Sequence, residues 1–157
     1  MSDVHTRFET LLEQHGGIVG KVVRIYARTA DDRRDLAQEI ATQLWRAFPR
    51  YDDRLGKFST WMYRIALNVG ISHLRRVRTF EVLDDGVPAP EPDDRLDAMY
   101  ARIRALDGLD RALVLLYLED RSYAEIADVI GISEANVATK LSRLRTRLRE
   151  QLTGAAS

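Results

Sequence analysis

From Arg54 to Phe80 the chain carries Arg54, Lys57, Arg64, Arg75, Arg76 and Arg78 and not one Asp or Glu. Aromatic side chains are interleaved with these cations: Tyr51, Phe58, Trp61 and Tyr63. Basic side chains follow a phosphate backbone and aromatic faces stack on unpaired bases, so the combination suits a single-stranded nucleic acid. Asn68, Ser72 and His73 place further hydrogen-bonding groups between Arg64 and the Arg75-Arg76-Val77-Arg78 cluster. Taken singly, Phe58 and Trp61 read as core residues of an amphipathic helix. The sign of the charges argues for a phosphate partner, because a solvated helix face mixes acids and bases and this one does not.

A second stretch with chemistry to offer runs from Ser122 to Arg149. Ser122-Tyr123-Ala124-Glu125 has the form of a capping box. Ile126, Ala127 and Ile130 supply a short apolar face, and Gly131 stands where a helix would end in a left-handed residue. Ser133 is a second N-cap, and Val137, Leu141, Leu144 and Leu148 continue the inward face of a longer helix. Two short helices joined by a tight Gly turn describe a helix-turn-helix, whose second helix enters the major groove. The residues placed to meet DNA are Ser133, Glu134, Asn136, Thr139, Lys140, Arg143 and Arg147. Asn pairs bidentately with adenine, and Lys or Arg with guanine, while the remaining cations hold phosphates. A plain helical hairpin with a solvated basic face is the competing description.

Other chemistries are excluded. The chain has no cysteine, which removes disulfides, thiolate zinc sites, iron–sulfur clusters and Cys nucleophiles. His5, His15 and His73 lack metal-ligand spacing, so no metal and no cofactor is expected. Gly16-Gly17-Ile18-Val19-Gly20-Lys21 imitates a phosphate loop, but His15 stands where its first Gly is needed and Val22 replaces the required Ser or Thr. No nucleophile elbow or metalloprotease motif is present, and the chain reads as a binding protein, not an enzyme.

These stretches must be held by helices. The sequence of 157 residues has room for one ordinary domain or two small ones. Leu36, Ile40, Leu44 and Phe48 recur every fourth residue, and Pro49 ends that helix. Phe58, Trp61, Met62, Ile65, Ala66 and Val69 form another apolar face, and Leu96, Met99, Tyr100, Ile103 and Leu106 another. No alternating strand pattern appears. Formal net charge is zero, yet the basic stretch is followed by Glu81, Asp84, Asp85, Glu91, Asp93, Asp94 and Asp97, with Pro88, Pro90 and Pro92 among them. Such a segment is extended and solvated. The expected fold is therefore all-α: a helical domain over 1–78, an acidic Pro-containing linker over 79–95, and a helix-turn-helix domain over 96–152. No run is long enough for a membrane span and the first residues lack the apolar core of a signal peptide, so a cytoplasmic protein with no membrane insertion is expected.

At this point the chain resembles a family. Arg33-Arg34-Asp35-Leu36-Ala37-Gln38-Glu39-Ile40, Leu44-Trp45-Arg46, the run Phe58-Ser59-Thr60-Trp61-Met62-Tyr63-Arg64-Ile65-Ala66-Leu67-Asn68, and His73-Leu74-Arg75-Arg76 are similar to the second conserved region of bacterial sigma factors. Ser122 to Ala127, Gly131-Ile132-Ser133 and Leu141-Ser142-Arg143-Leu144-Arg145 resemble the fourth region. Two regions joined by a short linker are the layout of the extracytoplasmic-function (ECF) group.

The resemblance implies partners and roles. Asp35, Leu36, Gln38 and Glu39 would dock on the clamp of RNA polymerase core, with the flap as a second polymerase contact; the residues alone support only an amphipathic helix with solvated acids. Tyr51, Lys57, Phe58, Trp61, Arg64, Asn68, Ser72, His73, Arg75 and Arg76 would engage the −10 element, with a single-stranded base captured near the loop from Tyr51 to Ser59. The helix-turn-helix would read the −35 element as duplex. The acidic linker would pass through the RNA-exit path and mimic nucleic-acid charge there, whereas composition alone describes a soluble spacer. An anti-sigma factor is implied as a further partner. Two departures stand out: Asn136-Val137-Ala138-Thr139-Lys140, where many relatives have Thr before Val and Ser-Arg at its end, and Gly70 inside an expected helix, where it costs about 1 kcal/mol relative to Ala. The principal rival is a helix-turn-helix regulator that binds operator DNA as a symmetric dimer.

Overall fold

The computed structural model describes residues 2–81 and 95–156; the Pro-rich acidic segment expected to be a linker falls almost wholly outside the described residues. Among the described residues eight α-helices occur in the order α1 (Ser2–Gln14), α2 (Gly16–Tyr26), α3 (Ala30–Ala47), α4 (Phe58–Glu81), α5 (Arg95–Arg104), α6 (Gly108–Leu118), α7 (Tyr123–Ile130) and α8 (Glu134–Ala156), with a 3-10 turn at Phe48–Arg50 after α3. No strand occurs among the described residues. The chain divides into two compact units, Met1–Gly108 and Leu109–Ser157.

In the first unit α4 packs against both α2 and α3. The fourfold spacing read in α3 is its buried edge, for Leu36, Ile40 and Leu44 have no exposed surface. Each such side chain contributes about 1.5–3 kcal/mol on burial. Thr29 caps the start of α3, its Oγ1 accepting from the Asp32 N–H at 3.0 Å, and Pro49 turns the chain into the 3-10 segment at its end. The core is completed by Val22 and Ile25 of α2 and by Met62, Tyr63, Ala66 and Leu67 of α4. Phe8 anchors α1 through its ring contacts with Trp45 at 5.2 Å and Phe48 at 5.0 Å between centroids.

Gly70 is explained by its surroundings. A Cβ at this position would lie 2.6 Å from Cδ2 and 2.9 Å from Cγ of Tyr26, inside contact distance. The ring itself is buried, and its hydroxyl donates to the Gly108 carbonyl at 2.6 Å. The glycine permits close approach of α2 to α4.

Helix α5 also belongs to the first unit by packing, against α2. Its Tyr100 and Ile103 are buried. The Arg24 guanidinium lies over the Tyr100 ring at 4.2 Å, and Arg104 Nη1 donates to the Arg24 carbonyl at 2.9 Å. The second unit by packing thus starts at Leu109, later than the boundary at 96 expected from the linker's composition.

The second unit is built on α6, α7 and α8, with Leu113, Leu116, Ile126, Val137, Leu141 and Leu144 buried. Ser122 Oγ accepts from the Glu125 N–H at 3.1 Å and donates to Glu125 Oε1 at 3.4 Å. The Glu125 side chain therefore meets the hydroxyl and Arg121, at 3.3 Å, where the box pattern would send it to the Ser backbone. Gly131 is left-handed with φ +84°, and its N–H donates to the Ala127 carbonyl at 2.8 Å. Ser133 Oγ then accepts from Asn136 N–H at 3.1 Å, capping α8.

Candidate nucleic-acid interface

Along α4 the outward residues are Arg64, Asn68, Ser72 and Arg75, spaced four, four and three apart, which places them on one face. Asn68, Ser72 and Arg75 are exposed and Arg64 is half-buried. This row presents a cation at each end and two neutral hydrogen-bonding groups between. The sequence reading also gave His73 and Arg76 to this surface. One residue is about 100° of rotation on a helix, so neighbours of the row point elsewhere. His73 is only 8% exposed, and its Nε2 lies 2.8 Å from Asp32 Oδ1 on α3. It completes the inward row Met62, Ala66 and Gly70, a spacing visible in the sequence but outweighed by the basic cluster beside it. Arg76 is exposed and turned toward α3, where its Nη2 donates to both Glu39 oxygens at 3.0 and 2.9 Å.

The loop between the 3-10 turn and α4 is pinned from within. Asp52 Oδ1 accepts from the Arg54 N–H at 3.0 Å and from its Nε at 3.1 Å, and Oδ2 accepts from Nη2 at 2.9 Å. Those bonds hold the Asp52 carboxyl below its ordinary range and raise Arg54. Arg54 is thus engaged within the loop, while Lys57 is exposed at the start of α4. Leu55 at the loop tip is 87% exposed, the most exposed of the large apolar side chains among the described residues, and sequence reasoning passed over it.

Behind the loop the aromatics form one cluster. Tyr51 lies 5.1 Å from Trp61, 5.4 Å from Phe58 and 6.0 Å from Phe48 between ring centroids. Phe58 is buried and belongs to the core, whereas Tyr51 and Trp61 are half-exposed. Burial, followed by the Asp53 carboxylate, pushes the Tyr51 phenol above its ordinary value. The ring therefore stays neutral and able to stack or donate.

On α3, Asp35 and Gln38 are exposed and Glu39 is half-buried, one polar strip above the buried edge. Leu36 has no exposed surface and so supports this strip from beneath. On α8, Glu134, Asn136, Thr139, Arg143 and Arg147 are exposed, Lys140 is half-buried, and the Ser133 hydroxyl is occupied by its cap bond. Arg147 lies 3.9 Å from Asp110. No group of three or more His, Asp or Glu placed to hold a metal occurs among the described residues, and no helix there is long and apolar enough to cross a membrane.

Two family models match the chain: Sigma-70 region 2 over residues 11–80 and Sigma-70, region 4 over residues 96–148. The ECF RNA polymerase sigma factor SigW of Bacillus subtilis is 30% identical over 139 residues, covering 75% of this chain and 74% of SigW. The chain belongs to the ECF group of sigma-70 factors. A second relative, the RNA polymerase sigma factor CnrH of Cupriavidus metallidurans, is 30% identical over 162 residues, covering 90% of this chain and 84% of CnrH. The ECF sigma factor SigM of Mycobacterium tuberculosis is 28% identical over 149 residues, with 90% and 74% covered. Among solved structures, CnrH in complex with the cytosolic domain of CnrY is similar with a TM-score of 0.71 at 25% identity, covering 96% of this chain and 90% of that one. Sigma factor RpoE in complex with the anti-sigma factor NepR from Bartonella quintana has the same fold, with a TM-score of 0.73 at 20% identity and 98% of each chain covered. Region 4 as matched begins in α5, a helix that packs with the first unit.

Proposed function

We propose that this ECF sigma factor binds RNA polymerase core through the polar strip of α3 and directs it to promoters through α4 and α8. The function is binding, not chemistry: sigma factors are initiation factors, and the polymerase performs the reaction. Residues 1–78 supply the core and −10 contacts, 96–152 the −35 contact, and 79–95 joins them. Linking makes the second contact effectively intramolecular once the first has formed.

The observation that carries this reading is the segregation of side chains within the region 2 match. Exposed Asp35 and Gln38, with half-buried Glu39, lie on α3, and the row Arg64, Asn68, Ser72 and Arg75 lies on α4. Acids suit a protein surface of opposite charge, and the α4 row suits a nucleic-acid strand. Tyr51 and Trp61 offer half-exposed faces for an unstacked base, which both reads sequence and holds the duplex open. His73 acts by positioning, through Asp32. In the second unit, Asn136, Thr139 and Arg143 read the duplex and Lys140 and Arg147 hold phosphates. The dimeric operator-binding reading loses its ground, because both halves of the chain fall to sigma regions. The co-complex of CnrH with CnrY supports a protein partner for this chain too, and an anti-sigma factor is the kind proposed.

The test is co-elution of the purified chain with bacterial core RNA polymerase on gel filtration, beside an Asp35→Ala/Glu39→Ala variant. Co-elution of the wild type, lost in the folded variant, is the expected result. A folded wild-type chain that elutes apart from core at micromolar concentration overturns the docking assignment.

A further inference from the structure

Between helices α3 and α4, His73 is tied to Asp32 and Arg76 to Glu39. The second tie joins two residues that the sequence reading gave to different partners, Glu39 to the polymerase clamp and Arg76 to the −10 element. In the free chain a single nitrogen, Arg76 Nη2, is shared between both carboxylate oxygens at 3.0 and 2.9 Å. The arginine side chain is 54% exposed and the glutamate 36%, so the pair lies at the surface where a competitor can reach it. A guanidinium bound to a carboxylate is a poor ligand for phosphate, since a phosphate brought to it meets the carboxylate's negative charge as well.

We infer that Glu39 gates Arg76: it occupies the arginine in the free chain, and engagement of Glu39 by a cationic polymerase surface releases Arg76 to a DNA phosphate. The inference rests on the docking role proposed for α3 and adds a coupling to it. Recognition of polymerase and recognition of DNA then share one ion pair, so each favours the other. The size of the effect is bounded by the exposure of the pair. Surface ion pairs are weak, and releasing one changes an affinity by about twofold to fivefold. The more telling quantity is the salt dependence, because a phosphate contact to a single strand adds about 0.7 to the slope of log affinity against log salt.

The experiment measures binding of a −10-containing oligonucleotide, single-stranded or forked, across a salt series. The proteins are the full chain as wild type, Glu39→Gln, Arg76→Gln and the double variant, free and bound to core. In the free chain Glu39→Gln should tighten binding about twofold to fivefold and steepen the slope by about one phosphate contact. The double variant should lose that gain. Asp31→Asn removes the same charge from an exposed position on the same helix, outside the docking strip and without touching Arg76, and should leave the free-chain slope unchanged. Arg76→Gln should have little effect on the free chain and should flatten the slope of the core-bound form. Equal losses for Arg76→Gln in both forms overturn the gate, as does a free-chain gain that survives in the double variant or is matched by Asp31→Asn. A wild-type chain that fails to bind core overturns instead the docking role on which the gate rests, so the two failures are distinct.

Discussion

Replacing Gly70 by alanine pits two opposite effects against each other, and the geometry decides between them. In an unencumbered helix interior the change stabilises by about 1 kcal/mol, because glycine loses more backbone freedom on folding. At position 70 the new methyl would sit 2.6, 2.9 and 3.1 Å from three atoms of the Tyr26 ring. That ring has little room to yield, being buried and tethered by its hydroxyl to the Gly108 carbonyl at 2.6 Å. Overpacking costs about 1–3 kcal/mol, and a contact this short against a buried, tethered ring falls in the upper part of that range, about 2–3, so the expected net is a loss of about 1–2 kcal/mol after the propensity gain. In a unit of this size each kcal/mol moves the midpoint by about 4 °C, so Gly70→Ala should melt about 4–8 °C below the wild type. The internal control is Gly20→Ala. Gly20 is exposed within α2 and has nothing within 4 Å of its missing Cβ, so the same substitution there should raise the midpoint by about 2–4 °C. Calorimetry or far-UV circular dichroism reads both variants against wild type. The reasoning is refuted if Gly70→Ala melts at or above the wild-type temperature while Gly20→Ala behaves as expected, for the ring would then move aside at no cost.

Neighbouring residues of α3 should separate folding from function. Leu36→Ala, at a site with no exposed surface, should cost about 2–5 kcal/mol in urea titrations, whereas Asp35→Ala should leave the unfolding midpoint unchanged and weaken co-elution with core. Ser122→Ala removes the α7 cap and should cost about 1 kcal/mol, read as a lower midpoint for the transition of the second unit. The Asp52 carboxyl, followed by NMR, should titrate below the ordinary aspartate range, and Arg54→Gln should return it there. Since its folded value is depressed, the Asp52–Arg54 tie contributes above the unfolded aspartate value and is lost as pH falls through the folded one; loop resonances should report that loss only in acid.

Local rules made parts of this molecule readable in advance. The Leu36, Ile40 and Leu44 row is buried where its spacing placed it, and Ser122, Gly131 and Ser133 do what caps and a left-handed turn require. These signals depend only on residues within a turn or two. The polar row Arg64, Asn68, Ser72 and Arg75 was legible for the same reason. His73 was assigned outward because charge drew attention to its neighbours, although its place after Met62, Ala66 and Gly70 marks the inner face. The rest needed contacts between distant helices. That Gly70 serves close approach depends on Tyr26, and that α5 packs with the first unit depends on Arg24 meeting Tyr100. Asp120 takes a left-handed conformation, φ 58°, at the end of α6, where no glycine announces it.

The aromatic cluster behind the loop gives the molecule an uneven optical signature. Its two tryptophans are Trp45 and Trp61, both in the first unit. Trp45 is 43% exposed beside His5 and Phe8, and Trp61 is half-exposed against Tyr51 and Phe58. Emission from the indoles therefore comes from first-unit residues alone, while backbone ellipticity sums over both units. Melting traces followed in the two ways should diverge wherever the units unfold independently. A base stacking on Trp61 would quench a native signal with no label attached.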